Sequence, residues 1–404
     1  MATHELNRPE SPESSSTPRH KGERVERVLG IYDRGEPGPT LIVVGGMHGN
    51  ERGGVLAVRR VLAAMHEHEL PLRGRLIGLA GNLTALAHDC RYIENDLNRV
   101  WREDAVRRLD RQDPNHDGSE EREQRGLLSE IRKATGAGGG AGTVLLDLHS
   151  SSAQGAPFSC MGDTLKNRRV CLSIPIPVIL GLEEIIEGSL LEYLSDRGHI
   201  SMAVEGGQHE EPTTAENLEG AVWMALVSIG ALRAEEVPGL GECYRNLKGR
   251  ARGRPGVVEV LYRHHIEPDD EFVMEPGFCN FDRIEKGQLL ARDRHGEVRS
   301  PRNGILLLPL YQGLGEDGFF LGREVRRFWL RLSTVVRRLR LGKLLRLLPG
   351  VSRHPERDDT LIVRARVARF LARELFHLFG YRQCRRQGGV LVFRRRRERD
   401  PLPL

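Results

Sequence analysis

The sequence of this 404-residue chain predicts an α/β fold in which a buried sheet is covered by helices. Three apolar runs bounded by glycine- and proline-rich segments are typical of buried strands: 41–44, 143–148 and 176–180. Segments with apolar residues at helical spacing alternate with these runs: 51–69, 190–197 and 215–232. Because strands alternate with helices, we expect one sheet domain over residues 23–235.

Composition distinguishes three further regions. Residues 1–22 are polar and contain a serine run, which predicts a disordered leader. Short alternating runs separated by glycine and proline predict a small β domain over residues 240–322. From 323 to 404, apolar residues recur at helical spacing among arginines, so we expect a basic, mainly helical extension.

The net charge of +5 conceals an uneven distribution. Residues 323–404 contain 23 Lys or Arg and 7 Asp or Glu, so the preceding part of the chain is acidic. Three interpretations of the basic extension remain open. It docks on the acidic body, it contacts anionic lipid, or it binds nucleic acid.

The cysteine pattern and the apolar runs bear on the compartment. The six cysteines include no CxxC pair, which favours reduced thiols over a disulfide framework or a cysteine-based zinc site. Residues 1–25 lack the apolar centre of a signal peptide, and no run of 18 or more apolar residues predicts a membrane span. We therefore expect a cytoplasmic protein.

Candidate metal ligands follow two of the predicted strands. His48 and Glu51 lie three residues apart where the run 41–44 passes into a helix, so both can face one point. His149 follows the run 143–148, and Asp147, on the same face of that strand, could orient one of the ligands. Two imidazoles and a carboxylate leave a fourth coordination position for water, as a hydrolytic zinc site requires.

Proton transfer and anion binding need additional groups. Glu205 follows a further predicted strand, 200–204, and precedes two glycines, so we assign it the role of proton shuttle. Cations come from the polar loop that contains Arg91, Asn98 and Arg99. An arginine fork matches a carboxylate bidentately, which favours an anionic substrate.

These motifs, taken in order, resemble those of the succinylglutamate desuccinylase/aspartoacylase family. They are 45–51 (GGMHGNE), 81–82 (GN), 91–92 (RY), 96–99 (DLNR), 147–150 (DLHS) and 204–205 (VE). The resemblance implies a zinc carboxypeptidase-like mixed sheet flanked by helices, followed by the small β domain and the basic helical extension. It also implies one Zn²⁺ per chain, held by His48, Glu51 and His149. Glu205 would be the general base and acid, and Arg91 would polarise the scissile carbonyl and stabilise the oxyanion.

The resemblance implies a substrate site as well. Asn98 and Arg99 would grip the carboxylate of the substrate, and Tyr311 would reach the site from the β domain. One departure concerns an additional substrate-binding arginine of aspartoacylases, because Ser195 stands at its position. We therefore do not expect N-acetylaspartate as the substrate.

The function predicted from these residues is hydrolysis of the amide bond of a small anionic N-acyl amino acid or related compound. Two alternatives remain open. One is a metallocarboxypeptidase that acts on peptide C-termini with the same chemistry. The other is a membrane- or nucleic-acid-associated protein whose basic extension carries the main role. A homo-oligomer is compatible with each.

Overall fold

The computed structural model describes residues 24–136, 142–355, 357, 359–364, 372–387 and 390–396. The predicted leader, 1–22, lies outside the described residues. In chain order the strands are β1 (Val28–Asp33), β2 (Thr40–Gly45), β3 (Arg75–Ala80), β4 (Thr143–Ser151), β5 (Phe158–Met161), β6 (Val178–Leu180), β7 (Ile200–Gln208), β8 (Val257–His265), β9 (Val273–Met274), β10 (Arg283–Ile284), β11 (Leu289–Asp293), β12 (Gly296–Arg299), β13 (Gly304–Leu307), β14 (Asp317–Glu324), β15 (Val351–Arg353), β16 (Thr360–Arg364), β17 (Tyr381–Gln387) and β18 (Val390–Arg395). The α-helices are α1 (Gly53–Glu67), α2 (Leu83–His88), α3 (Glu103–Arg111), α4 (Ser119–Gly136), α5 (Leu165–Cys171), α6 (Leu182–Ile185), α7 (Leu190–Asp196), α8 (Pro212–Ser228), α9 (Leu240–Arg250), α10 (Arg327–Arg338) and α11 (Ala372–Leu378).

An 11-stranded mixed sheet forms the centre of the molecule, in the order β1-β3-β2-β4-β7-β5-β6-β8-β14-β13-β10. Its strands β3, β2, β4 and β7 are mutually parallel. The apolar runs predicted as strands are buried here; Leu41, Ile42, Val43 and Val44 are all fully buried. The predicted α/β class, with a mixed sheet flanked by helices, is therefore confirmed.

Helices cover both faces of this sheet. On one face, α1 and α8 bury their apolar sides in the largest core cluster, to which α1 contributes Val58, Val61, Leu62 and Met65. On the other face, α4 and α7 contribute side chains to a second cluster around Ile42 and Val44. Because successive strand residues point to opposite faces, Val43 belongs to the first cluster and its neighbours to the second.

The region expected to form a separate β domain, 240–322, is arranged differently. It begins with helix α9, and its strands β8, β14, β13 and β10 continue the central sheet. Val178 in β6 pairs in parallel with Val257 in β8, which joins the two regions. Strands β9, β11 and β12 form a small separate sheet. Alternating apolar residues identify a strand but not its partner, so the sequence could not reveal this continuity.

The C-terminal region, 325–396, is also different from the mainly helical extension that the sequence predicted. Helix α10 is present, but β15, β16, β18 and β17 form a four-stranded antiparallel sheet. Within the extension, the helical spacing of the sequence also predicts a second helix at about 363–379. The structure places Val363 in β16 and 372–378 in α11, while 365–371 lie outside the described residues. Alternating side chains such as Leu361 and Val363 fill a small core with Phe376 and Phe393, which is the period-2 pattern of a strand. The arginine-rich composition obscured that pattern.

Buried ion pairs join the C-terminal region to the rest of the molecule. Arg382 donates to Glu184 Oε1 at 2.7 Å and to Glu259 Oε1 at 2.9 Å, and it lies 3.4 Å from Asp163 Oδ2. Arg396 donates to Glu183 Oε1 at 2.9 Å. These arginines are buried, so part of the basic charge is neutralised by carboxylates of the same chain.

Candidate metal centre and active site

The candidate site begins where β2 ends at the carboxyl edge of the sheet. Gly46 has φ 71°, a left-handed conformation that glycine adopts without strain, and it turns the chain sharply after the strand. A Cβ on Gly45 would lie 2.5 Å from the backbone carbon of Gly54, so two glycines allow α1 to start close against the strand. The turn between them presents His48 and Glu51 to the strand end.

The three predicted metal ligands converge on one point. Glu51 lies between the two imidazoles, with Oε1 2.7 Å from Nδ1 of His48 and Oε2 3.1 Å from Nδ1 of His149. One potential ligand atom from each residue lies within 4.8 Å of the others. All three side chains are buried. The structure therefore brings together groups that are 98 residues apart in the chain.

Two aspartates hold the outer nitrogens of these imidazoles. His48 Nε2 lies 3.0 Å from Asp96 Oδ1, and His149 Nε2 lies 2.9 Å from Asp147 Oδ2. A carboxylate on the far nitrogen fixes the orientation of a ligating histidine. The supporting role of Asp147 was expected from its strand position. That of Asp96 was missed, because nothing in the sequence relates its loop to His48.

The electrostatics of this cluster match a site for a cation. Burial opposes ionisation of Glu51, but the two imidazoles outweigh it and hold the pKa of Glu51 well below its usual value. Burial lowers the pKa of His149, but Asp147 and Glu51 outweigh it and raise that pKa well above the usual value. The carboxylates thus retain positive charge on the His149 ring. Two imidazoles, one carboxylate and carboxylate-held outer nitrogens fit zinc.

Arg91 lies beside the predicted ligands. Its Nη1 is 3.4 Å from Glu51 Oε1, and its Nη2 donates to Asp96 Oδ2 at 3.0 Å. Burial lowers the pKa of Arg91, but Asp96 and Glu51 outweigh it and raise that pKa. The guanidinium is therefore a fixed positive charge on the wall of the pocket.

Glu205 occupies the strand next to His149, and the two residues are paired in the parallel register of β4 and β7. Its Oε2 is buried and has no hydrogen-bond partner among the described residues. Burial raises the pKa of Glu205 to about 7, against the opposing charge of His149. A carboxyl group with that pKa can both accept and donate a proton near neutral pH.

Asn98 and Arg99 both line the pocket, but parts of both side chains are already engaged. Asn98 Oδ1 accepts the backbone N–H of Leu190 at 3.0 Å. Arg99 donates through Nη2 to Asp317 Oδ2 at 2.8 Å. Asp317 also pairs with Arg263, so one carboxylate neutralises charge at the mouth of the pocket.

Tyr311 is not among the side chains that line the pocket. Its hydroxyl donates to the backbone carbonyl of Glu275 and accepts the backbone N–H of Phe278, both at 2.9 Å. Its neighbour Gln312 does line the pocket. The sequence analysis thus predicted that this segment reaches the site, but it named Tyr311 where the structure places Gln312 in the lining.

A hydrogen-bonded network on one side of the pocket was not predicted. The backbone N–H of Ser150 donates to Glu51 Oε2 at 3.0 Å, and its hydroxyl lies 2.8 Å from His209 Nδ1. His209 Nε2 is 3.2 Å from Gln312 Oε1, which also accepts from Asn50 Nδ2 at 2.9 Å. The only feature of the sequence that points to Ser150 and His209 is their proximity in the chain to His149 and Glu205. Their connection through Gln312 depends on the folded chain.

Ser195 stands at the position of the additional substrate-binding arginine of aspartoacylases. It is fully buried and is not among the residues that line the pocket. Its hydroxyl lies 2.8 Å from that of Ser201. The pocket lining contains apolar as well as polar side chains. Its apolar members include Cys160, Leu182, Ile186, Leu191, Ala203 and Phe320.

Part of the chain is similar in sequence to known proteins. Residues 37–169 match the family model for the succinylglutamate desuccinylase/aspartoacylase catalytic domain. Succinylglutamate desuccinylase of Photorhabdus laumondii is 33% identical over 77 residues, which are 19% of this chain and 24% of that protein. The same enzyme of Erwinia tasmaniensis is 39% identical over 62 residues, 15% of this chain and 19% of the relative. The matched segments thus span a quarter or less of these relatives.

Solved structures extend the similarity to most of the fold. A succinylglutamate desuccinylase/aspartoacylase from Rhodobacter sphaeroides superposes with a TM-score of 0.53 at 17% identity, covering 72% of this chain and 86% of that one. Murine aminoacylase 3 gives a TM-score of 0.50 at 18% identity, covering 72% and 96%. At this identity the likeness shows a shared fold. The similarity to the succinylglutamate desuccinylase/aspartoacylase catalytic domain is confined to residues 37–169, and the shared fold extends over 72% of the chain.

Proposed function

We propose that this protein is a zinc-dependent hydrolase that cleaves the amide bond of a small N-acyl amino acid or a related compound. The observation that carries the proposal is the placement of Glu51 between the Nδ1 atoms of His48 and His149, with Glu205 on the adjacent strand. The match of residues 37–169 to the succinylglutamate desuccinylase/aspartoacylase catalytic domain supports a hydrolase. A carboxylate between two imidazoles, each held by an aspartate on its outer nitrogen, is the arrangement expected of a metal site.

His48, Glu51 and His149 would hold the zinc ion, oriented by Asp96 and Asp147. Zinc in such a site supplies a Lewis acid that polarises a carbonyl group and activates water at neutral pH. Histidine binds a metal through its neutral imidazole ring. Metal binding would therefore release the proton that the surrounding carboxylates retain on the His149 ring.

Glu205 would move the protons of the reaction. In its ionised form it takes a proton from the attacking water, and in its protonated form it delivers that proton to the departing nitrogen. The unpartnered Oε2 leaves one carboxylate oxygen available for this exchange. A pKa of about 7 makes both forms accessible under ordinary conditions.

Arg91 would stabilise the negative charge that develops on the carbonyl oxygen. Asp96 and Glu51 hold its guanidinium in place before substrate arrives, so little reorganisation is needed during the reaction. Removing a preorganised donor of this kind from a hydrolase costs about 10²- to 10³-fold in turnover.

Asn98 and Arg99 would contact a carboxylate of the substrate at the mouth of the pocket. Arg99 is paired with Asp317 at 2.8 Å. The substrate carboxylate would therefore have to replace Asp317 as the partner of Arg99. We give Tyr311 no part in the mechanism, because both hydrogen-bonding capacities of its hydroxyl are used by backbone groups.

The test is metal analysis and activity profiling of the same purified sample. Zinc should be present at one ion per chain, and a panel of N-acyl amino acids should contain substrates whose hydrolysis stops on chelation and returns with zinc. Cleavage of short peptides from the C-terminus, with N-acyl amino acids untouched, would replace the proposal with a carboxypeptidase. A sample that binds no zinc would refute the metal centre.

A further inference from the structure

The segment from 325 to 355 has an unusual charge composition. It contains nine Lys or Arg residues and no Asp or Glu. It also concentrates exposed apolar groups: seven of the fifteen exposed large apolar side chains in the described part of the chain lie here. They are Phe328, Trp329, Val335, Leu339, Leu344, Leu347 and Leu348. Exposed apolar area combined with charge of one sign indicates an interaction surface.

One side of helix α10 is fixed against the rest of the molecule. Arg168 donates to the carbonyl oxygen of Leu330 at 3.0 Å, and Ser333 donates to the carbonyl oxygen of Leu378 at 2.7 Å. Arg337 donates to the carbonyl oxygen of Asp163 at 2.9 Å. Leu330, Ser333 and Arg337 are buried and share one side of the helix by their spacing. These contacts fix which side of α10 faces the rest of the molecule.

The opposite side of α10 carries an apolar stripe. Phe328, Leu332, Val335 and Leu339 follow one another at spacings of four, three and four residues, which places them on one face. Phe328 is 64% exposed and Leu339 is 63% exposed. Trp329 lies beside the stripe and is 52% exposed. Because the buried side is already docked, this stripe points outward from the molecule.

Basic side chains border the stripe. Arg327, Arg331 and Arg338 are exposed and lie along one flank of α10 at spacings of four and seven residues. The following 3-10 turns, Leu341–Leu347, continue the pattern with Lys343 and Arg346 exposed beside Leu344 and Leu347. The helix and the turns that follow it thus both present exposed apolar groups with cations beside them.

We propose that this surface, residues 327–348, binds the face of an anionic lipid bilayer, with the apolar stripe inserted at the level of the headgroups. Lipid supplies both complements at once: acyl chains for Phe328, Trp329 and Leu339, and anionic headgroups for the flanking arginines. No helix of the described residues is long and apolar enough to cross a membrane, so the association is peripheral.

Two other partners match the surface less well. Nucleic acid would satisfy the arginines through its phosphates, but it offers little to an apolar stripe on the outer side of a helix. A second copy of the chain would cover the stripe, but it would bring two sets of acid-free basic residues together. The bilayer is the partner that uses both features.

Tryptophan fluorescence provides a direct test with the full chain. Of the three tryptophans, Trp101 and Trp223 are 1% and 3% exposed, so Trp329 is the one that a membrane would reach. We expect vesicles of equal parts phosphatidylcholine and phosphatidylglycerol to shift the emission to shorter wavelength, and brominated acyl chains to quench it. The variant Trp329→Phe should still sediment with these vesicles but lose the shift.

Substitution of the stripe separates lipid binding from simple charge attraction. The variant Phe328→Ser/Val335→Ser/Leu339→Ser should lower partitioning into the anionic vesicles by about tenfold or more, since each residue contributes buried apolar area. A matched control replaces three exposed apolar residues elsewhere, Ile31, Leu172 and Val273, with serine and should bind as the parent does. Thermal unfolding of both variants checks that the fold is retained.

Several outcomes would overturn the inference. The first is equal binding to vesicles of pure phosphatidylcholine. The second is equal sedimentation of the parent and the stripe variant with anionic vesicles. The third is fluorescence emission of Trp329 that stays unchanged on binding. Salt-sensitive binding to a DNA duplex without vesicle binding would assign the surface to nucleic acid. Self-association that the stripe variant abolishes, in the absence of vesicle binding, would assign it to a second copy.

Discussion

His149 and Glu205 lie side by side on two neighbouring parallel strands, close to the carboxyl ends of those strands at Ser151 and Gln208. One carries an imidazole whose pKa is raised, and the other a carboxyl group whose pKa burial raises to about 7. Adjacent strand ends thus hold a candidate metal ligand and a candidate proton shuttle at fixed separation. Replacing either side chain leaves the backbone pairing intact, which makes their roles separable by mutation.

Glu205→Gln should retain zinc and lose activity. The substitution keeps the size of the side chain but removes the group that accepts and returns the proton, so we expect kcat/KM to fall by about 10²- to 10⁴-fold. Steady-state kinetics and metal content should be measured on one preparation. Glu210→Gln, the same change at an exposed position five residues later, is the control. Unchanged turnover in Glu205→Gln would exclude the proposed shuttle.

Asp96→Asn should weaken zinc binding without removing a ligand. The aspartate lies 3.0 Å from the outer nitrogen of His48, and loss of such support costs about 10- to 100-fold in metal affinity. Competition against a chelator of known affinity measures the change. Asp104→Asn, at a surface position, should leave the affinity as it is. If Asp96→Asn binds zinc as tightly as the parent, the outer contact is irrelevant to the metal.

Asp317→Asn should alter the affinity for anionic substrates. Asp317 pairs with Arg99 at 2.8 Å in the pocket lining, so removing its charge leaves the guanidinium only the more distant Glu316, at 3.8 Å. We expect KM to fall for substrates that present a carboxylate there, with little change for uncharged ones. Asp293→Asn provides the control at a distance from the pocket. A KM that moves equally for charged and uncharged substrates would contradict a role for Arg99 in binding the carboxylate.

Asp163→Asn should destabilise the protein in a pH-dependent way. Burial raises the pKa of Asp163, but Arg168, Arg337 and Arg382 outweigh it and hold the pKa well below the ordinary value. A carboxyl group with a lowered folded-state pKa stabilises the fold above its unfolded value, about 3.9 for Asp, and loses that contribution as the pH falls further. At neutral pH we expect a loss of about 3 kcal/mol, because three buried arginines lose the negative charge that they share.

Urea unfolding at several pH values measures this effect. The difference in free energy of unfolding between parent and Asp163→Asn should be constant near neutrality and shrink once the pH falls below about 3.9. Asp269→Asn, an exposed aspartate, should show no comparable difference. A difference that is independent of pH down to the acid transition would show that the carboxylate charge does not hold the C-terminal region in place.

Local sequence determined the elements that build the site. The run from Leu41 to Val44 is apolar without interruption because it is buried on both faces of the sheet, and that pattern is readable without coordinates. The glycines around His48 and the strand-end position of His149 followed from the same local rules. The α/β class and the residues that converge at the site could therefore be named in advance.

Only the tertiary structure decided the relations between remote segments. It paired Asp96 with His48, Arg99 with Asp317, and Gln312 with His209, and it joined β8 to β6. It also turned the hydroxyl of Tyr311 toward backbone groups and folded much of the basic extension into a sheet. The physical reason is that periodicity reports which face of an element is buried, whereas a partner is chosen by packing and charge across the whole fold. Neither of these is written in the local pattern.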